Sequence, residues 1–424
     1  MLLVNQIREN YAGVLAGLQK RNFPNAEAVL NQAVELDELR KSSQSERDQI
    51  QSESNAISKQ IGSLMREGKA EEAVKIKEKT AELKIQIKDL EDQTSKAEED
   101  LKVLLYTIPN IPHSSVPAGK TAEDNEVVLD NGVIPTLHAD KLPHWDLIKK
   151  YDIIDFDLGN KISGAGFPVY KGKGARLQRA LINFFLDEAL AQGYYEIQPP
   201  ILVNEDSGYG TGQLPDKEGQ MYYVDADNLY LIPTGEVPIT NIYRDVILNE
   251  EDLPIKNVGH SPCFRREAGS WGAHVRGLNR LHQFDKVEIV QITHPDKSYE
   301  TLEDMSSYVQ GLLQKLELPY RVLRLCGGDM GFTSALTYDM EVFSAAQERW
   351  LEVSSVSNFE TYQSNRLKLR FRGADKKTQL AHSLNGSALA LPRIVASILE
   401  NNQTPDGINM PKVLHPYLGF DKIS

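Results

Sequence analysis

PCFRREAGSWGAHVRGLNRLHQFDKVEI, residues 262–289, reads as two strands joined by a glycine-containing loop. Side chains alternate faces along a strand. A hairpin here therefore sets Arg265 and Glu267 on one face of the first strand, and Phe284, Lys286 and Glu288 on one face of the second. That face carries cations, carboxylates and an aromatic ring. An arginine can hold a phosphate through two parallel hydrogen bonds, a carboxylate can accept from an adenine amine, and a ring can stack on a purine. The loop places Gly269, Gly272 and Gly277 among Arg276 and Arg280, a composition that lets backbone approach phosphate closely. The four letters FRRE alone read more readily as an amphipathic surface strand with solvated charges; the whole stretch points to a nucleotide site.

Two further groups lie outward from it. The first is Glu352-Val353-Ser354-Ser355, followed by Asn385-Gly386-Ser387 and Arg393. Oxygen ligands such as Glu352 and Ser355 suit Mg²⁺ bound to phosphates, and Arg393 suits a terminal phosphate. Residues three apart on an ideal strand point to opposite faces, so both ligands reach one ion only if the strand bulges or bends. By itself this group is equally a strand end with a polar turn, and Arg393, ahead of an apolar helix over 394–399, equally a surface charge. The second group, LIPTGEVPIT at residues 231–240, sets Thr234 and Glu236 on either side of Gly235. Glycine permits close approach of a small ligand and a carboxylate can bind an ammonium, although a Pro-Gly turn is the plainer reading of those letters.

The N-terminal quarter follows another rule. Residues 70–106 contain no Gly or Pro, and Ile76, Thr80, Leu83, Ile87, Leu90, Thr94, Ala97, Leu101 and Leu104 recur at steps of four and three, the heptad seam of paired helices. Residues 26–67 are Pro-free with Ile50, Ile57, Ile61 and Leu64 at compatible spacing, but 41–49 are polar. Gly68 can take positive φ between the two helices, so the pair folds back antiparallel. At about 1.5 Å per residue the second helix reaches roughly 55 Å. Such a hairpin serves most often for oligomerisation or spacing. It carries 13 Lys and Arg against 17 Asp and Glu over 30–106, so nucleic-acid contact here must come from shape and placed side chains.

Pro109, Pro112 and Pro117 within 107–120 end the helix and form a semi-rigid linker. The expected domains are a helical arm over 1–106, the linker 107–120 and a larger domain over 121–424. In the latter, strand-length apolar runs at 230–232 and 287–292 alternate with amphipathic helices at 175–192 and 298–316, the pattern of an antiparallel α+β fold. A chain of 424 residues with 41% hydrophobic and 25% charged residues is expected to fold as a globular protein. Its formal charge of -13 argues against a globally basic nucleic-acid binder while leaving room for local patches. Cys263 and Cys326 lie too far apart in sequence for a disulfide framework or a cysteine zinc site. No apolar run reaches membrane-spanning length, so a cytoplasmic, membrane-free setting is expected. Neither GxGxxG nor GxxxxGK[ST] occurs.

Together these segments resemble the seryl-tRNA synthetases of the bacterial kind, a family of class II aminoacyl-tRNA synthetases. The resemblance rests on PNIPHSSVP after the hairpin, YGTGQLP at 209–215, FRREAG with RLHQFDKVE, EVSSVSN, and LNGSALA with Arg393, all in family order. LIPTGEVP matches the family's serine-recognition loop, with Gly235 where Ala is usual; Ser364-Asn365 stand in place of Ala-Arg and Gly166 in place of Arg.

The resemblance implies an N-terminal coiled-coil hairpin on a class II catalytic domain that activates L-serine with ATP and transfers it to tRNA(Ser), with tRNA(Sec) left open. It implies that Arg265 binds the α-phosphate, with Arg266 beside it, that Glu267 reads the adenine amine, that Phe284 stacks on adenine, and that backbone near Leu281 lines the pocket. Glu352, Val353, Ser354 and Ser355 would run along ATP, with Glu352 and Ser355 on Mg²⁺ and no zinc, and Arg393 would face the γ-phosphate. Thr234, Gly235, Glu236, Glu288 and Arg265 would surround serine's amino and carboxyl groups, with Asn385 and Ser387 near its hydroxyl. The helix before Pro199-Pro200 would form a homodimer interface. The arm and the loop of 262–289, motif 2 of the class, would contact tRNA. Two alternatives remain: a related ligase loading a carrier protein, which would lack the arm, and an inactive coiled-coil nucleic-acid-binding paralogue, which would lack the ATP set.

Overall fold

The computed structural model describes residues 1–216, 219–267 and 276–424; Gly269 and Gly272 of the motif 2 loop lie outside them. The chain forms two compact units, Met1–Gln19 with Phe23–Pro109, and Lys20–Asn22 with Asn110–Ser424.

In the first unit the short helices α1 (Val4–Glu9) and α2 (Tyr11–Lys20) precede the long pair α3 (Ala26–Arg66) and α4 (Ala70–Tyr106). Gly68, at φ 76°, turns the chain between them, a backbone region that glycine enters without a Cβ penalty. Along α4 the buried side chains are Ala73, Thr80, Leu83, Ile87, Thr94, Ala97, Leu101 and Leu105. The seam thus ends on Leu105 rather than Leu104, as expected where a helix of 3.6 residues per turn drifts from a 3.5 repeat. Thr80 and Thr94 donate their hydroxyls to the carbonyls of Ile76 and Leu90 (2.8 and 2.7 Å), which removes the cost of burying them. On α3 the seam does not stop at the polar stretch. Ser43 and Ser54 are buried, and just before it the buried Asp37 is paired with Arg8, Arg40 and Lys41 at 3.1, 2.9 and 2.8 Å.

The second unit is built on one sheet of eight strands: β1 (Glu126–Asn131), β2 (Tyr195–Glu196), β3 (Ile255–Phe264), β4 (Gln283–Thr293), β5 (Tyr320–Arg324), β6 (Leu336–Ser344), β7 (Arg349–Asn358) and β8 (His382–Ala390). Their order is β1-β5-β6-β7-β8-β4-β3-β2. Every neighbour is antiparallel except β2, which runs parallel to β3. The flanking helices are α5 (Gly172–Ala191), α6 (Glu205–Thr211), α7 (Glu236–Asn241), α8 (Ser298–Lys315), α9 (Thr361–Leu367) and α10 (Leu391–Asn401).

Period-two alternation along β4 decides where the site lies. Val287 and Ile289 join a core with Leu177, Phe184 and Phe185 of α5, Met305 and Val309 of α8, and Ile394 and Ile398 of α10. Val290 and Ile292 face the other way, into a smaller cluster with Ile239, Leu367 and Phe371. Lys286 and Glu288 continue that second face, where the apolar cover gives way to a polar pocket. Among the described residues, no helix is long and apolar enough to cross a membrane.

Candidate active site

The hairpin forms as the sequence suggests, with Phe284 opposite Cys263 and Glu288 opposite Gly259. One part of the expectation needs correction. Strand β3 ends at Phe264, and Glu267 sits at φ 49°, so alternation does not place Arg265 and Glu267 on a common strand face. Arg265 extends the pairing by one bond, its N–H donating to the His282 carbonyl at 3.0 Å. Its guanidinium lies 5.2 Å from the Phe284 ring centroid and its Nε donates to the Pro233 carbonyl (3.3 Å). Glu267 instead pairs with Arg280 at 2.9 Å. Arg266 is exposed, held by its N–H on the Gln220 carbonyl (2.8 Å), and Leu281 is buried.

Beside Arg265 a buried polar network gathers residues from four segments. Glu288 is 1% and Glu236 5% exposed. Glu288 accepts from Asn385 Nδ2 (3.0 Å) and Thr234 Oγ1 (3.3 Å), and Ser387 lies directly opposite it on β8. Glu236 accepts from Gln363 Nε2 (2.6 Å), which is itself oriented by Ser383 Oγ (2.8 Å). Burial first, and then the neighbouring Glu288, push the Glu236 carboxyl up to about 7, against relief from Gln363 and Lys286. Burial also raises Glu288, opposed chiefly by Lys286. Gly235 opens α7 beneath this network, where an added Cβ would lie 3.2 Å from both Glu288 Cβ and Ser261 Oγ. A pocket with two carboxylates and neutral acceptors can take up an ammonium group.

The second group is assembled by a bulge. Across β6 and β7 the register passes from Met340 opposite Ser354 to Glu341 opposite Glu352, leaving Val353 as the extra residue. That shift turns Glu352 and Ser355 to the same side, which the sequence could not reveal. Asp339 joins them, accepting from Ser355 Oγ at 2.6 Å, and its carboxyl is pushed well above the usual range by burial and then by the nearby Glu352. Asp339 was invisible in the sequence because nothing there gives the register of its strand. Ser354 points elsewhere, donating to the Ser387 carbonyl (2.6 Å). The oxygen donors Glu352, Ser355 and Asp339 suit a hard cation whose other ligands are water and phosphate. Among the described residues no group of three or more His, Cys, Asp or Glu is arranged to hold a metal ion by itself.

Arg393 lies in the first turn of α10, where a cation faces the positive end of the helix dipole. It is held by Glu352, through the carbonyl at 2.6 Å and the carboxylate at 3.6 Å, and by the Asn279 carbonyl (3.2 Å). The turn carrying Asn279 has its own buried clamp. Leu278 N–H donates to His144 Nε2 (2.8 Å), and His144 Nδ1 meets Glu400 Oε1 at 2.7 Å. The ring nitrogen that accepts from Leu278 must be unprotonated, so the other carries the proton toward Glu400. A Cβ on Gly277 would lie 2.2 Å from His144 Nε2. A similar fit explains Gly166, at φ 83°, where a Cβ would meet the His282 ring at 2.3 Å.

The arrangement has counterparts. Residues 1–112 match the family model "Seryl-tRNA synthetase N-terminal domain" and residues 222–402 match "tRNA synthetase class II core domain (G, H, P, S and T)". A serine–tRNA ligase of Salinibacter ruber is 51% identical over 100% of this chain and 99% of its own length. One of Akkermansia muciniphila is 45% identical with the same coverage. The crystal structure of seryl-tRNA synthetase from Pyrococcus horikoshii complexed with ATP aligns with a TM-score of 0.93 at 34% identity, over 100% of this chain and 99% of that one. The cytoplasmic serine–tRNA ligase of Naegleria fowleri in complex with AMP aligns at 0.88 and 27%, with the same coverage. The seryl-tRNA N-terminal domain model at 1–112 and full-length relatives of a single activity leave the carrier-protein and inactive-paralogue alternatives without support. The chain therefore belongs to the seryl-tRNA synthetase family, the class II ligases that join serine to tRNA.

Proposed function

We propose that this chain activates L-serine with ATP to seryl-adenylate at the site above and passes the seryl group to tRNA(Ser). The observation that carries the reading is the buried network of Thr234, Glu236, Glu288 and Asn385 beside Arg265. Serine's ammonium meets Thr234, Gly235, Glu236 and Glu288, its hydroxyl meets Asn385 and Ser387, and its carboxylate faces Arg265. On the nucleotide side Arg265 takes the α-phosphate with Arg266 nearby. Phe284 stacks on adenine and Glu267 accepts from the adenine amine, with backbone at Leu281 along the same wall. The segment Glu352, Val353, Ser354 and Ser355 runs beside the phosphates and Arg393 takes the terminal one. Glu352 and Ser355 would hold Mg²⁺, which would neutralise charge on the ATP phosphates when bound.

The serine carboxylate attacks the α-phosphorus as the bond to pyrophosphate breaks. Such a step needs alignment and charge stabilisation and no protein nucleophile. A site whose groups hydrogen-bond the hydroxyl leaves them unpaired with alanine, which supports rejection of that substrate.

The α3/α4 arm and the motif 2 loop are the elements we assign to tRNA. Leu190, Tyr195 and Leu202, at 43%, 73% and 39% exposure around Pro199-Pro200, support a homodimer surface there. The scarcity of cysteine fits a cytoplasmic setting. Charging of tRNA(Ser) with labelled serine tests the reading. The intact chain is expected to charge it, and a variant lacking residues 32–104 to retain pyrophosphate exchange but lose charging; equal charging by both would remove the arm from the account.

A further inference from the structure

Lys286 is the buried charge that this scheme does not use. It is 5% exposed, and its Nζ lies 2.5 Å from Glu288 Oε2 and donates to Thr234 Oγ1 at 2.7 Å. These are two of the acceptors assigned above to the substrate's ammonium. The charged groups facing the pocket among the described residues are Glu288 and Lys286 on β4, Glu236 on α7, and Arg265 beyond β3. With Arg265 reserved for carboxylate and phosphate, two carboxylates face one resident ammonium.

We propose that Lys286 is a positioning residue that sets the charge of the amino-acid pocket, leaving it short of one positive charge, which the single ammonium of a zwitterionic amino acid supplies. This rests on the proposed serine site. Lys286 compensates Glu288 and orients the Thr234 hydroxyl, so that Glu236 is the carboxylate left for the ligand. A buried carboxylate without a cation takes up a proton instead, and a protonated Glu236 donates where it should accept. Removing Lys286 leaves two facing carboxylates to share one incoming charge. Both are then held in the protonated form to higher pH, and serine binds more weakly at neutral pH.

The test is pyrophosphate exchange by Lys286→Met, Lys286→Gln and Lys286→Arg across pH 6 to 9, with KM taken separately for serine and ATP. The proposal expects the serine KM of the Met and Gln variants to rise at least tenfold at pH 7, with ATP KM within about threefold of wild type. It also expects the acid limb of kcat/KM for serine to move to higher pH, and the Arg variant to recover most of the serine KM. Gln keeps a donor for Thr234 while losing the charge, so it carries the test if Met does not fold. Unchanged serine KM and pH limb in the Gln variant, or equal loss for serine and ATP with no recovery by Arg, would overturn the proposal. A wild-type protein without serine-dependent exchange would instead defeat the proposed function itself.

Discussion

Glu236 shows how much of this site depends on where a single carboxyl is buried. Its pKa is raised from an ordinary 4.5 to about 7 by burial and by Glu288, so the folded chain binds that proton more tightly than the unfolded one. The associated stabilisation is complete below 4.5 and is lost as pH rises through 7, a change of about 3 kcal/mol for a shift of this size. Glu236→Gln should therefore be no less stable than wild type at pH 8 and should lose the downward slope between pH 4.5 and 7, as read by urea unfolding at several pH values; the same slope in both proteins would refute the assignment. At this scale the sequence was a good guide to residue type and a poor one to direction. Phe284 and Glu288 were legible because the FDKVE letters alternate as a strand must, whereas Arg265 lies one residue past the end of β3. Glu267 was misplaced because its left-handed backbone breaks that alternation. Lys286 was visible on the correct face, but its depth was not, because burial depends on the distant segment carrying Thr234 and on β8 pairing beside β4.

At the level of elements, the heptad seam of α4 could be read nearly residue by residue, since helical period is a local property. Its partner α3 was harder to read, because Ser43 and Ser54 occupy seam positions as small residues and not as apolar ones. The β7 bulge was not legible at all: register belongs to two strands together, and only their pairing turns Glu352 toward Ser355. The clamp on the turn at 277–279 is a similar case, made by His144 and Glu400 from distant segments. It sets the carbonyl that holds Arg393, which gives a paired prediction. His144→Gln can keep an acceptor near the Leu278 N–H, whereas His144→Asn reaches only toward Glu400. The Asn variant is expected to raise the ATP KM at least fivefold more than the Gln variant, with serine KM little changed in either. Equal ATP KM in the two would separate the clamp from the phosphate site.

For the whole molecule, the order of motifs carried more information than any one of them. FRRE, EVSS and TGE each suit an ordinary strand or turn, but their succession behind a heptad hairpin singled out one family, which the full-length relatives share. What sequence order could not supply is the convergence of the loop at 234–236, β4, β8 and α9 on one buried network. That convergence sets two buried carboxylates beside Arg265, and we propose that the network and the arginine together activate serine. The most direct measurement is ATP–pyrophosphate exchange with each of the twenty amino acids, run on wild type and on Arg265→Ala. Exchange with serine is expected far above that with any other amino acid, with a loss of at least about a hundredfold on removing Arg265, the scale expected for one transition-state charge contact. Exchange driven by a different amino acid, or serine exchange that survives Arg265→Ala, would contradict that proposal.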